Sequence, residues 1–142
     1  MAESTLKDWL AEHPPPDCAF TQSVAVVAER ARKGEDFQVA VREFLDEFAL
    51  LPRSDLQARA LSARPGPTGD HGQDAYLGAL AEHLAAIHCH DRPGWAIDPS
   101  RFLDRFWFPS ETPGFRALAI AQSPAAFRRR GIFIAQSSLD RR

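Results

Sequence analysis

The 142-residue sequence contains two cysteines, Cys18 and Cys89, too few for a disulfide framework to hold a chain of this length together. No apolar run exceeds five residues, as at 24–28, whereas a membrane-spanning helix needs about 20. Neither sign of charge dominates. Its 17 basic and 19 acidic side chains leave a net −2, which excludes a uniformly basic nucleic-acid coat and a strongly acidic tail protein. Residues 1–7 are polar and mildly acidic, without the basic start and apolar stretch of a secretory signal, so a cytoplasmic location is expected. Repeats and low-complexity tracts are also missing.

What is present is the composition of a folding chain. With 44% hydrophobic residues, wholesale disorder is excluded, and the length suits one compact domain over residues 1–142. The near-neutral total hides an uneven division. Residues 1–100 carry 9 basic and 16 acidic side chains (−7), and residues 101–142 carry 8 and 3 (+5).

Helical periodicity recurs along the chain. Ser4 or Thr5 can cap a short helix with Leu6, Trp9 and Leu10 on one face, which Pro14, Pro15 and Pro16 stop. A second helix is predicted over 21–33, with Val24, Val27, Ala28 and Ala31 at helical spacing, Arg30, Arg32 and Lys33 in its last turn, and Gly34 as the stop. Asp36 can cap a third, whose stripe is Phe37, Val41, Phe44, Leu45 and Phe48. After Pro52 a weaker segment runs through Leu56, Ala60 and Leu61 into the Pro/Gly-rich loop 64–70. The spacing of Leu77, Leu80, Ala81, Leu84 and Ile87 predicts a long helix over 74–88.

Asp98-Pro99 reads as an N-cap with proline at the first helical position, opening a helix over 100–107. A small helix follows over 113–122, and Ser123-Pro124 repeats the device. Residues 131–135 read as a short strand. The expected fold is mainly α: one compact multi-helix domain with one short C-terminal β-strand, its basic and aromatic part spanning 98–142.

Candidate chemistry is sparse. His83, His88, Cys89, His90 and Asp91 are the densest set of metal-ligand types, but their spacing matches neither HExxH nor paired CxxC, and histidines suit a helix C-terminus for its dipole alone. Cys18 precedes a helix, where backbone N–H groups can lower a thiol pKa, yet the sequence designates no base for it. Nucleophile elbow, Walker A loop and dinucleotide fingerprint are missing. The two helices joined at Gly34 invite a helix-turn-helix reading, but Glu43, Asp46 and Glu47 against Arg42 would repel phosphates. Nucleic acid is therefore not the expected partner, and no cofactor or membrane is expected either.

Arg128, Arg129 and Arg130 concentrate positive charge beside the apolar Ile132, Phe133 and Ile134. Consecutive helical residues diverge by about 100°, so at most two of the arginines address one surface. Such a strand can pair with a partner's edge or simply pack in the core. Trp95, Phe102, Phe106, Trp107 and Phe108 read as the core or hinge of the C-terminal part.

Four blocks carry a family resemblance: 41–48 (VREFLDEF), Thr68-Gly69-Asp70 with 74–84, Asp98-Pro99-Ser100-Arg101-Phe102-Leu103-Asp104-Arg105 continuing to Pro109, and 123–134. Across residues 37–134 the chain resembles small actinobacterial proteins that look like the first products of two-gene units whose second product is a nucleotidyltransferase-like protein. The resemblance implies a non-catalytic antitoxin that neutralises such a toxin by direct binding, and it maps no catalytic residues. Phe102, Phe106 and Trp107 are the expected anchors, with Arg128, Arg129, Arg130, Ile132 and Phe133 as contacts. A DNA-binding transcriptional regulator and a small metal-binding enzyme using His83, His88, Cys89 and His90 are the alternatives.

Overall fold

The computed structural model describes residues 22–51, 54–110, 112 and 114–140. The predicted N-terminal helix, the prolines at 14–16, Cys18, Pro52 and Pro113 lie outside the described residues. Among those described, no helix is long and apolar enough to cross a membrane.

Helix α1 spans Val24–Arg32 and α2 spans Phe37–Leu50. Ser23 caps α1 by accepting from the Val26 N–H, and Asp36 caps α2 by accepting from the Val39 N–H. Val24, Val27 and Ala28 of α1 are buried, as is the whole predicted stripe of α2. Across the turn at Gly34, Arg30 pairs with Glu35 at 2.5 Å and with Glu43 at 2.6 Å, tying the two helices at their solvent edge. Helix α3, Ser54–Ser62, buries Ala60 and Leu61 and holds Trp95 by a 3.1 Å bond from the indole N–H to the Leu61 carbonyl.

Helix α4, His71–Ile87, lies at the centre. It starts a turn earlier than predicted because Asp70, not Asp74, accepts from the Gln73 N–H. Asp74 instead accepts from the backbone N–H and the hydroxyl of Thr68, both at 2.9 Å, and so fastens the loop onto the helix. Every residue from 75 to 81 is buried, so the middle turns of α4 have no solvent face. This follows from their make-up of alanine, glycine, tyrosine and leucine, which is apolar all round. Ile87, expected in the core, is 57% exposed at the frayed end.

The chain then departs from expectation. In place of a helix over 100–107, two 3₁₀ turns, Gly94–Ile97 and Pro99–Arg101, pack on α4. Asp98 caps the second as predicted, accepting from the Ser100 N–H. Phe102 is nevertheless extended (φ −120°, ψ 141°), and the Leu103 N–H donates to the Arg130 carbonyl at 3.2 Å instead of to its own helix. Tertiary backbone bonds have replaced helical ones.

Helices α5, Phe115–Gln122, and α6, Ala125–Arg128, complete the described helices. Ser123 does not cap α6. Its hydroxyl donates to the Ile132 carbonyl at 2.9 Å and lies 3.4 Å from the Ile134 N–H. The predicted strand over 131–135 is likewise not formed: the described residues contain no strand, only an isolated parallel bridge between Trp107 and Ile132. Gly131, at φ 84°, turns the chain into this bridge. Its carbonyl accepts from the Trp107 N–H, and the Phe133 N–H donates to the Trp107 carbonyl. The backbone that an isolated strand must satisfy is met by loop partners and a serine.

At Gly78 a Cβ would stand 2.9 Å from Arg101 Cβ and 3.1 Å from the Ala96 carbonyl oxygen. The turns therefore rest directly on the helix backbone. Gly78→Ala is expected to lower unfolding free energy by about 1–3 kcal/mol in chemical denaturation, despite the better helix propensity of alanine. An unchanged or raised midpoint would show that this packing is not tight.

Candidate functional site

Arg128, Arg129 and Arg130 have three different fates. Arg128 is exposed and its guanidinium returns to the Ile120 carbonyl at 2.8 Å. Arg129 is exposed and pairs with Glu82 at 2.6 Å. Arg130 is interior, with its side chain 0% exposed. Its Nη1 donates to Glu82 Oε2 and, at 2.8 Å, to the Ala126 carbonyl, while Nη2 donates to the Ala96 carbonyl at 2.6 Å. The guanidinium also covers the Phe102 ring, 4.6 Å from its centroid. Arg130 thus joins α4, α6 and the turn Gly94–Ile97, and is structural instead of an available contact.

Glu82 receives Arg92 as well, at 3.2 Å. Burial alone would raise its carboxyl, but the Arg130 hydrogen bond and charge, with Arg92 and Arg129, hold it below the ordinary carboxylate value. Burial in turn pushes Arg130 below the usual arginine value, opposed by Glu82. A second interior arginine escaped sequence reasoning. Arg101 donates to the Asp74 and Pro65 carbonyls at 3.1 and 2.9 Å and lies over the Trp95 ring, and burial lowers its pKa too. Only Glu82, an acid inside an apolar helix, gave a sequence signal that a buried cation lay near.

Of the other predicted contacts, Ile132 is fully buried and cannot meet a partner in this conformation. Phe102 is half-buried under Arg129 and Arg130, and Trp107 packs edge-on to Tyr76. Phe106 is different. It is 78% exposed and meets Phe133 edge-on at 5.2 Å, and Phe133 stacks on Phe108 at 5.3 Å with 21° between the planes. Arg116 of α5 extends the group, its guanidinium 5.1 Å from the Phe108 centroid. An aromatic face with a cation at one end is the outward feature of the C-terminal part. Phe106 and Phe133 were expected as an anchor and a contact; Phe108 was read as core or hinge, and Arg116 was missed.

The histidines do not form a ligand set. His88 packs edge-on to Phe48 and stacks on His90 with centroids 6.4 Å apart, His90 shares a 3.0 Å hydrogen bond with Gln57, and His83 lies edge-on to Phe127. Among the described residues no group of three or more His, Cys, Asp or Glu side chains is placed to hold a metal ion.

The chain matches no protein-family model, no curated protein and no solved structure.

Two predictions follow from this geometry. Arg130→Ala removes a buried cation, leaving the Ala126 and Ala96 carbonyls and one Glu82 oxygen without their donor, and is expected to cost about 3–5 kcal/mol, whereas Arg129→Ala, whose pair is half in solvent, should cost about 1 kcal/mol or less. Equal losses in urea denaturation would contradict the assignment. Second, burial and, respectively, the charges of His88 and His90 lower the pKa of His83 and His88 below the ordinary 6.5. The unfolded chain then binds the extra protons, so this stability is complete above 6.5 and declines as pH falls through the lowered folded values. Urea midpoints measured across that range should fall with acidification, and His83→Gln should flatten the slope.

Proposed function

We propose that the protein is a cytoplasmic, non-catalytic protein-binding module, the antitoxin-type partner that restrains a nucleotidyltransferase-like protein by direct contact. The observation that carries the binding role is the aromatic face of Phe106, Phe133 and Phe108, with Phe106 78% exposed. Beyond its edge-on contact with Phe133, so exposed a ring buries little apolar area in the monomer, and aromatic side chains are the residues on which protein interfaces concentrate their energy. The nature of the partner rests on the sequence resemblance across 37–134.

The same geometry revises the contact set. Phe106 and Phe133 remain as contacts and Phe108 and Arg116 join them, while Arg130 and Ile132 support the surface from within. DNA binding through α2 is less favoured, because Glu43, Asp46 and Glu47 occupy that helix beside Arg42 and Glu43 is already bound to Arg30.

Co-expression with the product of the adjacent gene is expected to give a co-purifying complex and to relieve its growth inhibition. Phe106→Ser should weaken the complex by about 2 kcal/mol, roughly 30-fold, while leaving thermal unfolding nearly unchanged. If wild-type protein neither co-purifies nor restores growth, the proposal fails.

A further inference from the structure

Beside the aromatic face, a cleft of about 260 Å³ opens between α2, α5 and residues 133–138. Tyr76, 1% exposed, forms part of its lining, together with Phe108, Phe133, Ile134 and Ala119. A space of this size admits one ring or branched side chain, not a folded element. Arg42 of α2 also lines it, and Arg116 stands over Phe108. Among the described residues neither guanidinium is paired with a carboxylate. Five other surface arginines, Arg30, Arg32, Arg64, Arg92 and Arg129, have acidic partners, whereas Arg128 is bonded to the Ile120 carbonyl and exposed Arg105 lies away from the cleft lining. Positive charge without a carboxylate therefore flanks a recess of mixed lining, in which Gln38, Ser110 and Ser138 join the rings.

Resting on the protein-binding reading above, we infer that this cleft receives an acidic segment of the partner protein. An apolar side chain of that segment seats against Tyr76 and Phe133, and its carboxylates meet Arg42 and Arg116. Arginine pairs carboxylates through two parallel hydrogen bonds, which fixes the segment's register, while the buried ring supplies affinity. The face does not suit single-stranded nucleic acid. Phe108 and Phe133 stack on each other at 21° instead of standing apart for bases.

The test uses the full chain and two capped peptides, acetyl-Asp-Phe-Asp-amide and acetyl-Lys-Phe-Lys-amide, followed by nitrogen–proton correlation spectra. The acidic peptide is expected to shift the amides of Phe108, Ala119, Phe133, Ile134 and Ala135 and to bind about tenfold more tightly than the basic one. The double variant Arg42→Glu, Arg116→Glu, at two exposed positions, should abolish or reverse that preference with the remaining spectrum unchanged. Equal response to both peptides, shifts away from the cleft, or stronger perturbation of the same amides by oligouridylate would overturn the inference. A partner complex that forms with wild-type protein and survives the double variant would overturn it while leaving the protein-binding role intact.

Discussion

A guanidinium sealed beneath the surface must be met by carboxylate or carbonyl oxygens, or the chain will not close over it. Arg130 meets that demand with Glu82, Ala126 and Ala96. The rest of the C-terminal half follows from it, because these partners belong to α4, α6 and the turn Gly94–Ile97 and can be satisfied together in one arrangement. Arg101 imposes the same requirement at the other end of the turns, through the Pro65 and Asp74 carbonyls. Both cations press against α4 where it is most apolar. The segment between α4 and α5 is thereby anchored by side-chain-to-backbone bonds as well as by those of its two 3₁₀ turns.

That arrangement explains why the arginine triplet resists a single description. One helical turn directs Arg128 toward α5, Arg129 toward the rim of the Glu82 site and Arg130 inward. The positive surplus of residues 101–142 is consequently smaller at the surface than in the sequence. What remains unpaired near the aromatic face includes Arg116, joined from the acidic part of the chain by Arg42 of α2. The proposed binding surface thus spans the division of charge and does not lie within the basic segment alone.

Helices with a polar side were legible from the sequence, and those without one were legible only in part. The stripe of Phe37, Val41, Phe44, Leu45 and Phe48 and the caps Ser23, Asp36 and Asp98 express local chemistry, and local rules identify or accommodate them. The amphipathic pattern understated α4, since residues 75–81 are enclosed on all sides. Segments 100–107 and 131–135 were misread for a shared reason. Each satisfies its backbone with the other, through Leu103 to Arg130 and Trp107 to Gly131 and Phe133. Neither segment carries that pairing in its own residues. At the candidate site, the aromatic and basic composition was visible early, but which ring faces water depends on that same pairing.

The pairing also makes the aromatic face depend on residues distant in sequence. Phe106 and Phe108 flank Trp107, and both Trp107 backbone groups are engaged by residues 131 and 133. Without residues 131–133 bonded to Trp107, most of the helices would remain, yet the aromatic face would not assemble. Any partner that reads this face would therefore sense whether two segments distant in sequence have docked, so recognition would double as an inspection of the fold.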